Sequence, residues 1–196
     1  MSTTTLYLIR HGQTDWNLAG KIQGHADIPL NATGKAQAQK VAQFLKKKHV
    51  SLHALYSSDL QRAHQTAHAI ATLFTLEIIS AADLREGHYG KMEGLTKKEW
   101  HDLYGHFDWL TLPEEIGAEP RDKVIERVMN YLLLIAQKHK DQRIAVVTHG
   151  GAIRSLLVHL GHNVEQLPEV TNESIITFTW HEDRQMFAFE SIEHAD

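Results

Sequence analysis

Leu6-Tyr7-Leu8-Ile9-Arg10-His11-Gly12-Gln13-Thr14 is an apolar run that stops abruptly on an arginine, a histidine and a glycine. Leu6 to Ile9 has the length and composition of a buried strand. Gly12 lets the backbone turn sharply and approach a bound group closely, so Arg10 and His11 fall at the carboxyl edge of a sheet, where open α/β sheets bind ligands. The pattern recurs far downstream. Arg143-Ile144-Ala145-Val146-Val147-Thr148-His149-Gly150-Gly151 is a second apolar run ending in His-Gly, and the amphipathic segment after it, Ala152 to Leu160, reads as a helix. If both strands share one sheet, His11 and His149 face the same crevice. Two imidazoles, an arginine and a helix amino terminus gathered there make an anion site, because the free N–H groups and dipole of a helix start favour negative charge.

The rest of the chain supplies the layers around those strands. A polar loop, Gln13 to Leu30, leads to Asn31-Ala32-Thr33-Gly34, which opens a helix to about His49 with Ala38, Val41, Ala42 and Leu45 on one stripe. Leu52 to Tyr56 reads as a short strand, and Ser57 or Ser58 as the cap of a helix to about Phe74. Asp83 to Pro120 is less regular and reads as an excursion covering one side of the crevice. Its aromatic cluster, Tyr104, Phe107, Trp109, Leu110 and Leu112, is read as a small core in preference to a lid. A helix from about Asp122 to His139 carries Val124, Val128, Tyr131, Leu132 and Ile135 at burial spacing. Ser174 to Trp180 and Met186 to Ile192 alternate in polarity and suggest a hairpin at a sheet edge. The predicted fold is α/β: a three-layer sandwich with a mostly parallel central sheet flanked by helices, a small inserted subdomain at about 83–120 over the site, and a C-terminal β-hairpin at the sheet edge. One domain over 1–196 is expected.

Composition narrows the function. The 196 residues are 42% hydrophobic and 22% charged, enough for a sizeable core. A formal net charge of −4 argues against a nucleic-acid partner, since phosphate-backbone affinity needs clustered Lys and Arg. The basic run Lys46-Lys47-Lys48 lies at a predicted helix end and reads as a solvated face. There is no cysteine, which excludes disulfides, thiolate nucleophiles and cysteine zinc sites. No charged-then-apolar leader opens the chain and no apolar run approaches a membrane span, so no membrane partner and a cytoplasmic location are expected. His64 and His68 sit at zinc-ligand spacing, but Gln65, Thr66 and Ala67 between them include no Glu for a general base, and no metal or other cofactor is predicted. A homodimer is compatible with the sequence and not dictated by it.

Further residues suit phosphate chemistry. Asn17 follows His11 in the same loop, with Gln23-Gly24 beyond it, and all can lend side-chain or backbone donors. Arg62 lies on the first turns of a helix, in Ser57-Ser58-Asp59-Leu60-Gln61-Arg62-Ala63-His64-Gln65-Thr66-Ala67, where its planar guanidinium can grip two phosphate oxygens. Glu86 lies in a tight loop with Gly87, Gly90 and Gly94. A carboxylate there is able to give a proton to a leaving alkoxide.

Taken in order, Arg10-His11-Gly12-Gln13-Thr14 with Asn17, Arg62 in its Ser-Ser-Asp-Leu-x-Arg-Ala-x-x-Thr-Ala setting, Glu86-x-x-x-Gly90-x-x-Glu93-Gly94, and His149-Gly150-Gly151 resemble the histidine phosphatase superfamily, also called phosphoglycerate-mutase-like. Asp27-Ile28-Pro29-Leu30 fits the family's Asp-x-Pro-Leu, with Asn31 where Thr is common, and Gly117-Ala118-Glu119-Pro120 loosely matches its Gly-Gly-Glu-Ser. The resemblance implies His11 as the nucleophile that becomes a phosphohistidine, with Arg10, Arg62 and His149 binding the phosphoryl oxygens. It implies Glu86 as general acid and Glu93 as its structural neighbour, and Asn17 as an assisting residue. Gln23, Gly24 and Gly150 are counted with the phosphate-binding residues. For this chemistry His11 must attack as neutral imidazole with an acceptor holding its other nitrogen, and His149 is expected to work best as a cation beside the phosphate.

The resemblance leaves a choice between hydrolysis and phosphoryl return. A mutase needs extra cations over the pocket, and between Glu99 and Glu119 there is no Lys or Arg, which favours a metal-independent phosphomonoesterase acting on a small phosphorylated metabolite. Phosphoglycerate mutase-type transfer is the alternative, followed by a non-catalytic phosphate-binding module. Sugar phosphates, nucleotides and a cobalamin-precursor phosphate such as α-ribazole phosphate all remain as substrates.

Overall fold

A computed structural model describes residues 2–105 and 114–195. At its centre is a six-stranded sheet made by β1 (Thr3–Arg10), β2 (Ala54–Ser58), β3 (Ile78–Ala81), β4 (Arg143–Thr148), β5 (Ser174–His181) and β6 (Met186–His194), in the spatial order β3-β2-β4-β1-β5-β6. β3, β2, β4 and β1 run parallel. β5 runs against β1 and β6 against β5, which makes the predicted hairpin at one edge.

Alternation along the strands explains the layers. Ile144 and Val146 of β4, with Leu6 and Leu8 of β1, pack under α5 (Arg121–Lys138) and α6 (Gly150–His159). Ala145 and Val147, with Ile9 and Leu55, pack under α2 (Ala32–Lys47) and α3 (Gln61–Phe74) on the opposite face. A strand buried on both faces carries apolar residues at both parities, which is why β1 and β4 read as continuous runs. β1 and β4 are adjacent, Arg10 pairs with Thr148, and the His11 amide donates to the Thr148 carbonyl at 3.1 Å. Both His-Gly turns therefore leave the sheet at one point.

Two readings of the sequence are corrected, and two elements are added. Ser57 and Ser58 do not cap α3; both continue β2, with Ser57 opposite Val147. The backbone there is committed to the ladder, and the amide of Gln61 instead donates to the Asp27 carboxylate at 2.7 Å. β2 accordingly starts two residues later than Leu52. β3, four residues at the exposed edge, and the single-turn helix α1 (Asp15–Leu18) inside the polar loop are additional elements. α4 (Lys97–Tyr104) belongs to the excursion, whose core is Met92, Trp100 and Ile116, with Ile22, Tyr89 and Tyr104 packed against it. Phe107, Trp109, Leu110 and Leu112 lie outside the described residues.

Candidate active site

His11 is buried just beyond β1. Its Nδ1 lies 2.7 Å from the Gly12 carbonyl, which can only accept, so the hydrogen is on Nδ1 and Nε2 carries the lone pair. Burial, then the charges of Arg62 and Arg10, hold the ring well below the usual histidine range, so it is neutral. Gly12 itself donates to Thr66 Oγ1 at 3.1 Å, and a Cβ on it would overlap the Gly34 carbonyl.

His149 precedes α6, its ring centroid 5.1 Å from that of His11 and the planes inclined at 62°. Its Nε2 lies 2.9 Å from Ser58 Oγ, while Nδ1 is a buried nitrogen with no hydrogen-bond partner. Burial first, then Arg62 and His11, push this ring well below the usual range too. Desolvation thus favours the neutral ring, and the expected cation is the form beside a phosphate, whose charge offsets that desolvation.

Two guanidiniums flank the pair. Arg62, fully buried on the first turn of α3, donates through Nη1 to the Ala26 carbonyl at 2.8 Å and through Nη2 to the Gly24 carbonyl at 2.7 Å. Arg10 donates through Nη1 to the Val170 carbonyl at 2.7 Å, and burial brings it down to about 10, still charged at neutral pH. The Nε atoms of both are buried donors without a partner. Buried donors are rarely left unpaired, so a cluster of them marks a place for an acceptor.

Glu86 closes the site from the excursion. Its Oε2 accepts from the Gly151 amide at 2.8 Å and its Oε1 from the Gly87 amide at 3.1 Å. A Cβ at Gly151 would collide with that carboxylate. Glu93 accepts from the amides of His25, Ala26 and Tyr89, a structural role.

A cavity of about 450 Å³ is lined by Arg10, His11, Asn17, Gln23, Gly24, Arg62, Glu86 and Gly150. Thr14 engages the carboxamide oxygens of Asn17, through its amide at 3.1 Å, and Gln23, through its hydroxyl at 2.9 Å, which leaves their NH2 groups for a ligand. His149 does not line the wall but sits behind it, edge-on to His11. The described residues contain no group of three or more His, Cys, Asp or Glu side chains suited to holding a metal.

Other lining residues escaped the sequence reading. Lys21, Arg121 and Arg154 reach the same cavity from three separate segments. The absence of cations between Glu99 and Glu119 therefore does not describe the charge over the pocket, and it does not decide between hydrolysis and transfer. Arg154 was legible in principle, one helical turn beyond Gly150 on α6.

Residues 6–191 match the family model described as histidine phosphatase superfamily, branch 1. The chain belongs to the histidine phosphatase superfamily. Phosphoglycerate mutase-like protein 4 of Arabidopsis thaliana is 41% identical over 88% of this chain and 78% of its own. A metal-independent phosphoserine phosphatase from the same plant is 40% identical over 80% and 68%. The crystal structure of a Bacillus anthracis phosphoglycerate mutase superposes on this histidine phosphatase with a TM-score of 0.85 at 26% identity, covering 98% of this chain and 94% of the other.

Proposed function

We propose that this histidine phosphatase hydrolyses a small phosphorylated metabolite in two steps, with His11 as nucleophile and Glu86 as acid and then base. Nε2 of His11 attacks phosphorus in line, the bond from phosphorus to the leaving oxygen breaks, and the Glu86 carboxyl gives that oxygen a proton. Water then attacks the phosphohistidine, Glu86 takes its proton, and the P–N bond breaks to release inorganic phosphate. Arg10 and Arg62 offer unpartnered Nε–H donors to the equatorial oxygens, where charge develops, and His149 adds a donor on protonation. In this reading His149 becomes cationic only when phosphate arrives to offset its burial.

The observation that carries the proposal is the hydrogen bond from His11 Nδ1 to the Gly12 carbonyl. It exposes a neutral Nε2 beside two guanidiniums, the state a nitrogen nucleophile needs. Relatives named for phosphoserine support a small substrate.

Phosphate release from p-nitrophenyl phosphate in the presence of a chelator tests it, with acid quench to trap acid-labile phosphoenzyme. Unchanged turnover under chelation and complete loss of both signals in His11→Ala are expected. Turnover that survives His11→Ala would remove the nucleophile. Lys21, Arg121 and Arg154 are the kind of charge that phosphoryl return to a carboxylated acceptor needs. A phosphoglycerate mutase assay is therefore run alongside, and interconversion faster than phosphate release would assign the transferase instead.

A further inference from the structure

Past the end of β1 the backbone leaves the sheet, and side chains from other segments hold it. The His11 carbonyl accepts from Asn172 Nδ2 at 2.8 Å, and the Gly12 amide donates to Thr66 Oγ1 at 3.1 Å. Those two bonds fix the peptide between residues 11 and 12. The next peptide carries the Gly12 carbonyl, 2.7 Å from His11 Nδ1, and its N–H, on Gln13, donates to Gln37 Oε1 at 2.8 Å.

A trans peptide is planar, with its C=O and N–H pointing in opposite directions. The partner of the Gln13 N–H therefore decides which end of this peptide faces the imidazole. Turned over, the peptide would aim the Gln13 N–H at Nδ1. Nδ1 would then have to accept, the ring hydrogen would sit on Nε2, and the lone pair that attacks phosphorus would be lost. Gly12 has no Cβ to resist that rotation. Gln37 resists it from α2, where it stands between the buried Gly34 and Ala38 and gives its oxygen to a loop amide instead of to water. Asn31, the cap of the same helix, fixes residue 13 elsewhere: its amide donates to the Gln13 carbonyl and its Nδ2 to Gln13 Oε1, both at 3.0 Å. The chain from Gln37 Oε1 through one peptide to His11 Nδ1 is also cooperative, since each bond polarises the next.

We propose that Gln37 is a positioning residue for the reaction: by holding the Gln13 N–H it keeps the Gly12 carbonyl on His11 Nδ1, and so keeps the nucleophilic lone pair on Nε2. This rests on the reading of His11 as nucleophile. Gln37 itself touches neither substrate nor imidazole and acts through the backbone alone.

The test is nitrogen NMR of protein with isotope-labelled histidine, the His11 signals being identified by their loss in His11→Ala. Single-turnover release of p-nitrophenolate, which reports phosphohistidine formation, is measured alongside. His11 in the parent should carry its hydrogen on Nδ1. Gln37→Leu should populate the Nε2–H form and slow the release about tenfold or more, as when the reactive form falls to about a tenth of the molecules. The Kd for inorganic phosphate, set by the arginines, should stay within about twofold, so the loss appears in kcat and not in binding. Gln37→Glu keeps an acceptor at this place and should restore tautomer and rate together. A folded Gln37→Leu with both readouts unmoved, or a Gln37→Glu no better than Gln37→Leu, would overturn the proposal. Where Gln37→Leu does not fold, amide exchange in the parent decides: the Gln13 N–H should be as protected as the His11 amide, and exchange at the rate of an exposed loop would overturn it. The tautomer is read without turnover. A tautomer shift with no phosphohistidine would thus sink the catalytic reading alone, whereas phosphohistidine formed with the tautomer unmoved in Gln37→Leu would sink this one.

Discussion

Nδ1 of His11 gives its hydrogen to the carbonyl of the next residue, so the tautomer is set by one local bond rather than by a distant carboxylate. The requirement for an acceptor on that nitrogen could be deduced from the chemistry; that Gly12 provides it could not, because the bond depends on a backbone direction that Gly34 confines from the other side. His149 differs for a related reason. Its strand-end position marked it for the site, but its charge depends on how completely neighbours exclude water, and no linear pattern encodes that. Glu86 offers a sharp prediction at this scale. In Glu86→Gln, hydrolysis of an alkyl phosphate should fall about a hundredfold or more, while p-nitrophenyl phosphate, whose phenolate leaves unaided, should fall far less. Equal losses would remove Glu86 from the acid role.

Helix α5 holds the Glu86 loop in place. From the helix, Arg127 donates to the carbonyls of Asp83, Arg85 and Glu86 at 2.9, 2.8 and 2.8 Å while also gripping Glu119. Arg127 lies at i+3 from Val124 and i−4 from Tyr131, on the apolar stripe, so a charge on a buried face was the available signal. Charges on helices otherwise read as solvated, and Arg121 and Arg154 passed unnoticed on that account. Arg127→Met should destabilise the fold by about 3 kcal/mol, since it removes the cation paired with Glu119 and the guanidinium donors to three carbonyls, and Arg127→Lys should recover little because an ammonium cannot span them. Chemical denaturation measures both. On α2, Gly34→Ala should lower stability by about 1–3 kcal/mol even though alanine is the better helix former, because its Cβ would press into the Gln13 backbone. A stabilised Gly34→Ala would show that this contact is slack. The long helices α2, α3 and α5 were legible from periodicity, whereas β3 was not, being four residues long and exposed at the sheet edge.

Over the whole molecule the buried imidazoles tie stability to pH. His11 and His149 stay neutral when folded, but in the unfolded chain they take up protons once pH falls below about 6.5. The unfolded state then binds more protons, so stability declines on acidification, by up to about 1.4 kcal/mol per pH unit for each ring. Urea midpoints between pH 6.5 and 5 should fall less steeply in His149→Gln than in the parent, and parallel slopes would contradict that origin. The pairing of Arg10 with Thr148 across β1 and β4 has a kinetic consequence. The strands lie far apart in the chain, β1 ending at Arg10 and β4 starting at Arg143, so the two rings cannot meet until the centre of the sheet has zipped, a slow, high-contact-order event. Helices formed early during refolding carry Arg62 but no working chemistry, and the first turnover after dilution from denaturant clocks the moment these two distant strands find each other.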